Sequence, residues 1–565
     1  MRTKSLLVAG AVTTVVAATL VGGSAAASPP SPSAATTAAA RYVVLAADGA
    51  SVADARAAVA RAGGRVVAEN AAIHAFTVES TSALFAAAVR GQRALAGAAR
   101  DQAIGRAPTT RVATKADVTA ERAATAGSLA GAATSATAAA EPLAYLQWDM
   151  RMVKADQANQ TNRGSPRVKV GIIDSGIDAS NPDLAPNFDA AASRNFVTDI
   201  PAIDGPCEFA GCVDPIGWDD SGHGTHVSGT VAAAYNGVGV AGVAPKVTLV
   251  EVRAGQDSGF LFLNPVINAI TYAGDAGLDV VNMSFFVDPW LFNCTANPAD
   301  SPEAQAEQRT IIDAVGRAME YAHRKGVTQV VSLGNQHLDL GNPGVDIISP
   351  DYPGGTEYPR TIDDATCFSL PVEGPHAIGV SALGPSGRKA DYSNYGQHLT
   401  VSAPGGWFRD GFGTPTYRTN ENLVLSSYPK NVLQGLGQGD PAGNIVLGFE
   451  GTVYKSCTAT GQCGYYAWLQ GTSMASPHAA GVAALIVSRY GRGRAGGFGL
   501  DPDRVERILT ATAAQVACPS YGTEDYTIVG RPADWNATCT GTLAYNSFYG
   551  HGIVDALSVV AGPSR

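Results

Sequence analysis

Four short apolar runs of the chain alternate with segments of helical periodicity. The runs cover residues 168–173, 246–252, 279–283 and 327–333, and each contains several β-branched side chains. Apolar runs of this length are typical of strands buried on both faces, and intervening helices allow such strands to be parallel. The pattern therefore predicts an α/β fold, a three-layer sandwich with helices on both faces of a mainly parallel central sheet.

A smaller unit with a different pattern precedes these runs. Residues 41–45, 65–69 and 75–79 have the composition of strands, and residues 51–62 have the period of an amphipathic helix that stops at two glycines. The sequence therefore predicts a small α+β unit over residues 41–105.

Three segments lack the pattern of a folded core. Residues 1–27 combine a basic start, an apolar stretch and an Ala-rich cleavage site, as a secretory signal peptide does. Residues 28–40, rich in Pro, Ser and Thr, predict a disordered spacer. Residues 106–140, rich in Ala and Thr, predict an exposed linker that is cleaved, so that the mature chain begins near Glu141. No membrane association is expected after signal cleavage.

One apolar helix near the C-terminus begins with a reactive side chain. Residues 471–478 read Gly-Thr-Ser-Met-Ala-Ser-Pro-His and lead into a run of small residues. Ser473 then lies in the first turn, where unpaired amides and the helix dipole favour negative charge. An ordinary N-cap serine has the same local sequence. The interpretation as a nucleophile therefore depends on two other segments.

Those two segments supply an acid and a base. Asp174 follows the apolar run at 168–173 and precedes a Ser-Gly turn, and His223 lies in the sequence Ser-Gly-His-Gly-Thr-His before another small-residue helix. The order acid, histidine, serine differs from that of the α/β-hydrolases and of the chymotrypsin type. The three segments together resemble the signature sequences of the subtilisin-like serine peptidases, the subtilases.

The resemblance covers most of residues 141–565, interrupted by insertions, and more loosely residues 41–105. It implies a secreted serine endopeptidase in which Ser473 forms an acyl-enzyme, His223 is the general base and Asp174 orients the imidazole. It also implies a self-processing precursor, in which the unit at 41–105 inhibits the catalytic domain at 141–565 and assists its folding.

Further site residues follow from the same resemblance. Asn335, after the strand at 327–333, is expected to complete the oxyanion hole with its side-chain amide. His226 and His478 lie outside the position of the base, so we expect them to be structural. Where subtilases commonly have Leu-Gly, this chain has two phenylalanines, so the preference for the P1 side chain does not carry over. The expected substrate-binding residues are Ser284, Phe285, Phe286, Leu333 and Gly334.

All eight cysteines lie in residues 141–565, and an even count behind a signal peptide predicts disulfides. Their number allows 105 connectivities, although two pairs are close enough in sequence to close short loops. Our interpretation pairs Cys207 with Cys212, Cys457 with Cys463, Cys294 with Cys367, and Cys518 with Cys539.

Metal binding is left open by the sequence. Neither Cys-x-x-Cys nor His-Glu-x-x-His occurs, so a zinc site has no sequence support. The resemblance implies a possible structural calcium, because Asn236 and Asp183 match positions that often hold this ion in subtilases. Both residues also suit turns without an ion, so the metal ligands are unknown. No cofactor is expected to be required for the chemistry.

Charge and composition narrow the partners. Residues 41–140 contain eleven Lys and Arg against seven Asp and Glu, whereas the whole chain has a net charge of −10, and no basic patch indicates nucleic acid. We expect a monomer that acts on proteins or peptides and is bound by its own N-terminal unit. A non-catalytic binding protein and an acyl-transfer enzyme acting on esters are the alternatives. Residues 337–375 and 405–468 are interpreted as surface insertions of unknown role.

Overall fold

The computed structural model describes residues 39–101, 141–351, 357–494 and 497–562. The predicted signal peptide, the linker at 106–140 and all but two residues of the spacer therefore lie outside the described residues. The strands are β1 Ala40–Ala46, β2 Arg65–Asn70, β3 Ala75–Ser80, β4 Leu95–Arg100, β5 Lys169–Asp174, β6 Arg194–Asn195, β7 Thr248–Arg253, β8 Val280–Met283, β9 Asn293–Cys294, β10 Thr328–Ser332, β11 Val345–Asp346, β12 Arg360–Thr361, β13 Cys367–Phe368, β14 Ala377–Leu383, β15 Leu399–Pro404, β16 Val424–Tyr428, β17 Val453–Cys457, β18 Cys463–Leu469, β19 Arg492–Arg494, β20 Gly497–Gly499, β21 Thr523–Glu524 and β22 Ala537–Thr538. The helices are α1 Val52–Arg61, α2 Phe85–Arg90, α3 Trp148–Met152, α4 Ala155–Ala158, α5 Pro201–Asp204, α6 His223–Ala232, α7 Leu263–Asp275, α8 Pro302–Arg324, α9 Lys430–Gly435, α10 Thr472–Tyr490, α11 Pro502–Thr512 and α12 Ala556–Ala561.

A parallel sheet forms the centre of the molecule. Within the described residues it has seven strands in the order β15-β14-β10-β8-β5-β7-β6, and every adjacent pair is parallel. Successive residues of β5 face opposite layers: Ile172 packs in the core with α6 and α10, and Ile173 packs in the core with α7 and α8. The predicted three-layer α/β sandwich is confirmed.

The N-terminal unit is a four-stranded antiparallel sheet in the order β2-β3-β1-β4. Tyr42 and Val44 of β1 pack with α1 and α2, whereas Val43 and Leu45 face α7 and α8. The sequence analysis missed α2 and β4, because residues 85–100 are rich in alanine and have little contrast between apolar and polar positions.

The interpretation of residues 405–468 as a surface insertion is wrong for the three strands that begin at Val424. Strands β16, β17 and β18 form an antiparallel sheet, and every residue of β16 is buried. Ser426 of β16 donates from Oγ to the carbonyl of His226 in α6, 2.7 Å away. This sheet therefore covers α6, where the sequence analysis expected a surface insertion.

Four disulfides join the pairs that the sequence analysis proposed, which confirms that interpretation. The link between Cys294 and Cys367 also connects two short paired strands, β9 and β13. Among the helices of the described residues, none combines the length and the apolar character that a membrane crossing requires.

Candidate active site

The predicted acid and base are in direct contact. Asp174 is the last residue of β5 and is 4% exposed. Nδ1 of His223 lies 2.8 Å from Oδ1 and 2.9 Å from Oδ2 of this carboxylate. A ring nitrogen held by a carboxylate carries the proton. The other nitrogen, Nε2, is then free to accept a proton, and it has no hydrogen-bond partner among the described residues.

Glycines bring the helix of the base close to the acid. Gly222, with φ of 84°, precedes α6, whose first residue is His223. A Cβ on Gly224 would lie 2.2 Å from the carbonyl oxygen of Gly176, in the turn after the acid. No larger residue fits at this contact. The Gly-His-Gly sequence thus sets the distance between α6 and the end of β5.

Asp219 holds this arrangement together and was not singled out from the sequence. It is fully buried, and its Oδ1 accepts from Ser175 Oγ at 3.0 Å and from the amide of Gly222 at 2.9 Å. Its Oδ2 accepts from both the amide and Oγ1 of Thr225. A carboxylate just before a helix can be recognised as a helix cap in sequence, but its bond to the turn after Asp174 requires the fold.

The predicted nucleophile lies at the same edge of the sheet. Oγ of Ser473, in the first turn of α10, donates to the carbonyl of Ser284 at 3.2 Å, and Oγ of Ser284 donates to the carbonyl of Ser473 at 3.2 Å. Ser284 follows β8, in which Met283 is opposite Ile173 of β5. Ser284 and Asp174 therefore leave neighbouring strands side by side, about 4.8 Å apart.

The serine and the histidine are not hydrogen-bonded to each other in this structure. Ser473 Oγ donates to Ser284 instead, while His223 contacts Asp174. Catalytic hydrogen bonds are often long or unformed without substrate and tighten in the Michaelis complex.

Asn335 follows β10 and presents an amide to the same turn. Its Oδ1 accepts from the amide of Thr472 at 2.8 Å and from Oγ1 of Thr472 at 2.9 Å. A Cβ on Gly471 would lie 3.5 Å from Nδ2 of Asn335. Because Oδ1 is held by Thr472, the NH₂ group is left as a donor beside the serine turn. The role of Thr472 as the residue that orients Asn335 was missed from the sequence.

The remaining expected site residues surround this edge. Leu333 is buried, and the amide of Gly334 donates to Thr472 Oγ1 at 3.0 Å. Phe285 and Phe286 are half-buried against the apolar core beneath α7 and α8. The structure thus brings the two rings next to Ser284, the residue bonded to the nucleophile.

The two histidines expected to be structural are both buried among backbone acceptors. Nε2 of His226 lies 3.1 Å from the carbonyl of Val424 and 3.2 Å from that of Ala467, so the ring joins α6 to the sheet of β16 and β18. His478 is bonded within α10 and to Asp149.

A buried pair of carboxylates fits the calcium suggested by the sequence. Asp183 Oδ1 and Glu141 Oε2 are buried and have no hydrogen-bond partner among the described residues. Burial, together with the nearby Glu141, raises the pKa of Asp183 to about 8. Paired hard oxygen ligands of this kind suit Ca²⁺. Asn236 acts as a turn residue, because its Nδ2 donates to the carbonyl of Pro182 and its Oδ1 accepts from the amide of Val238.

The fold and the site define the class of a serine hydrolase with a buried acid, a partly exposed histidine and a serine at a helix start. The sequence model of the subtilase family, Peptidase_S8, matches residues 165–552, and the chain belongs to this family. Since its subtilase relatives are serine endopeptidases, the chain is a serine-type endopeptidase. Enzymes of this family need no cofactor for catalysis.

Individual relatives agree with this assignment. Subtilisin DY of Bacillus licheniformis is 28% identical over 370 residues, which are 66% of this chain and 92% of the relative. Subtilisin NAT of Bacillus subtilis subsp. natto is 26% identical over 343 residues, which are 61% of each chain. The epidermin leader peptide processing serine protease of Staphylococcus aureus has the same fold, with a TM-score of 0.59, 20% identity, and coverage of 94% of this chain and 100% of the other.

Proposed function

We propose that this subtilase is a secreted endopeptidase that cleaves peptide bonds through Asp174, His223 and Ser473, and that it is made as a precursor that processes itself. The observation that carries the proposal is the bond of His223 Nδ1 to both oxygens of a buried Asp174, with Nε2 left free. Ser473, at the start of a helix, is bonded to Ser284, which follows the strand next to that of Asp174.

The chemistry follows from these positions. Ser473 Oγ attacks the scissile carbonyl while His223 Nε2 takes its proton, and Asp174 stabilises the resulting imidazolium. The oxyanion accepts hydrogen bonds from Asn335 Nδ2 and from the amide of Ser473. His223 then gives the proton to the leaving amine, and water hydrolyses the acyl-enzyme by the reverse sequence. All these groups belong to one chain, so a monomer suffices.

Substrate and ion binding use neighbouring residues. The backbone of Ser284, with Phe285 and Phe286, would contact the substrate near the scissile bond. A calcium ion would be held by Asp183 and Glu141, where it would neutralise buried negative charge and stabilise the fold without entering the reaction.

The N-terminal unit is proposed to be the inhibitor. Its Asn70 donates to Oδ1 of Asn268 and to Oγ1 of Thr271 in α7, at 2.9 and 2.8 Å. Oδ1 of Asp101, at the end of β4, accepts from the amide of Asn264 in the first turn of the same helix at 2.9 Å. Asp101 thus satisfies an amide in the first turn of α7 that has no acceptor within its own helix. These contacts would hold the unit against the enzyme until the segment after it is cut.

The catalytic assignment is tested by comparing two serines of α10. Ser473→Ala should abolish hydrolysis of casein and of a simple ester. Ser488→Ala changes a serine at the far end of the helix, where Oγ donates to the carbonyl of Ala484, and should retain both activities. Ester hydrolysis without casein hydrolysis would support the acyl-transfer alternative, and inactivity of the wild-type chain on both would favour a binding protein.

The inhibitor assignment is tested by adding residues 39–101 to the mature enzyme. Saturable inhibition is expected, and a flat titration would contradict it. A Cβ on Gly97 would lie 2.2 Å from Oγ1 of Thr310 in α8, so Gly97→Val should weaken inhibition. Gly91→Ala is the matched control, because its Cβ meets only the carbonyl of Ala88 at 3.4 Å.

A further inference from the structure

We propose that the chain binds one transition-metal ion of the Zn²⁺ type between His323, His376 and Asp503. This site is separate from the proposed catalysis and from the oxygen ligands suited to calcium. Residues of the amino ends of β10 and β14 line it, whereas Asp174 and Ser284 lie at the carboxyl ends of β5 and β8. The proposal therefore stands or falls independently of the peptidase mechanism.

Three elements meet at the site. His323 lies in the last turn of α8, His376 directly precedes β14, and Asp503 lies in the first turn of α11. One ligand atom from each of these side chains lies within 4.8 Å of the others. Nε2 of His323 is 2.8 Å from Oδ1 of Asp503, and the two imidazole rings are stacked with centroids 3.6 Å apart.

These side chains line a small cavity. Its volume of about 10 Å³ is room for a single sphere the size of a water molecule. Both histidines, Asp503 and Glu506 line it, with Thr328 of β10 and Ile378 of β14. The cavity therefore has the size for one ion and a wall of metal-binding groups.

Two further carboxylates are available around this cluster. Glu320 is one turn before His323 on α8, and its Oε1 lies 3.1 Å from Nε2 of His376. Glu506 is one turn after Asp503 on α11, so both face the same side. Either carboxylate can act as a fourth ligand or can orient a metal-bound imidazole, as carboxylates commonly do around zinc.

The donor set selects the kind of metal. Imidazole nitrogens with a carboxylate oxygen suit zinc and its neighbours in the first transition series, whereas Ca²⁺ and Mg²⁺ take oxygen ligands. Metal–ligand bonds of about 2.0 to 2.2 Å require the ligand atoms to move closer together and the rings to turn out of their parallel stack. His323 and His376 have exposed side-chain fractions of 17% and 32%, which leaves room for this movement.

The test uses the full chain with Ser473→Ala, which prevents self-digestion, after treatment with EDTA. It is titrated with Co²⁺, and then with Zn²⁺, in excess Ca²⁺ so that oxygen-only sites are filled. We expect one equivalent of Co²⁺ to give the visible absorption of a four-coordinate ion, Zn²⁺ to displace it, and Zn²⁺ to raise the unfolding temperature by mass action.

His376 and His398 provide a matched pair of variants. Both have positive φ, 61° and 63°, a conformation that asparagine tolerates. His376→Asn should weaken Co²⁺ and Zn²⁺ binding by about 10-fold or more, and His398→Asn should not. Asp503→Asn, at an exposed position, repeats the test if His376→Asn fails to fold. Absence of stoichiometric binding, or binding that both His376→Asn and Asp503→Asn leave unchanged, would overturn the proposal.

Discussion

Two histidines of the described residues contact a buried aspartate, His223 with Asp174 and His478 with Asp149, and the surroundings of these two pairs differ. His223 Nδ1 contacts Asp174, and Nε2 has no partner among the described residues. His478 Nε2 lies 3.1 Å from Oδ2 of Asp149, and its Nδ1 lies 2.8 Å from the carbonyl of Met474. The side chain of His223 is 24% exposed, whereas that of His478 is fully buried.

The proposal that His223 and not His478 is the catalytic base rests on this difference, because both histidines have a buried acid beside them. Both nitrogens of His478 are engaged, so this ring can only connect α10 to α3 and fill the core. His223 is anchored through one nitrogen and can move a proton through the other. Accessibility of the second nitrogen, and not the carboxylate, distinguishes the two regions.

The largest expected difference is between substitutions of the two histidines. His223→Ala should lower kcat by about 10⁶-fold, the size known for loss of the corresponding residue in subtilisin itself, with little change in the unfolding temperature. His478→Gln should leave kcat per folded molecule within a few-fold, and should cost about 1 to 3 kcal/mol of stability because a buried carboxylate loses its partner. Steady-state kinetics and thermal unfolding measure the two effects, and a loss of activity in folded His478→Gln would contradict the comparison.

The pair of His223 and Asp174 could be predicted from the sequence because the residues that mark each of them are their immediate neighbours in the chain. Asp174 ends an apolar run, and the glycines around His223 mark a close approach. The sheet was predictable for a similar reason, since β5, β7, β8 and β10 are buried on both faces and stand out as apolar runs.

The residues that could not be predicted from the sequence act through contacts between distant segments of the chain. Thr472 orients Asn335 across 137 residues of sequence, and the ligands of the proposed metal site come from three separated elements, so no motif marks them. Asp149 could not be predicted as the partner of His478 for the same reason, because the two are separated by 329 positions in the sequence.

A substitution of Asn335 tests the proposed active site around His223 at a second position. Asn335→Ala should lower kcat by about 10² to 10³-fold with little change in KM, the magnitude established for the oxyanion asparagine of subtilisin. The amide is held through Oδ1 by Thr472, so Thr472→Val, which removes one of the two bonds, should give a smaller loss in the same direction. An unchanged kcat in Asn335→Ala would reduce this residue to a turn former.

Another buried carboxylate, that of Asp101, contacts the amide of Asn264, and we expect it to respond to pH. Burial raises its pKa to about 6 from 3.8, although the amide of Asn264 and the charge of Arg41 oppose the rise. The docked N-terminal unit therefore binds this proton more tightly than the free unit does. Docking should be strongest near pH 4 and weaken as the pH rises through 6, by up to about 10²-fold for a shift of about two pKa units.

Inhibition constants of residues 39–101 between pH 4 and 8 measure this effect. Asp101→Asn keeps an oxygen acceptor for the amide of Asn264 but cannot ionise, so its inhibition should vary less with pH and be stronger than that of the unchanged segment at pH 8. Asp54→Asn is the control, because Asp54 lies in α1 and its contacts are within the unit, with Ser51. Parallel pH profiles for Asp101→Asn and the unchanged segment would exclude Asp101 as the group responsible.

The smallest expected effect concerns Phe286 and the preference for the P1 side chain of the substrate. Phe286 stands two residues after Ser284, whose carbonyl accepts from Ser473, and its ring is half-buried against the core of α7 and α8. Subtilases commonly have a glycine at this wall, so a ring should restrict the space for the P1 side chain. Phe286→Gly should shift cleavage of a peptide library toward large P1 residues by a few-fold to about 10-fold, since a hydrophobic pocket discriminates by about 1 to 3 kcal/mol. Equal cleavage profiles for the wild type and Phe286→Gly would show that this ring belongs to the core, as His478 does, and not to the substrate site near His223.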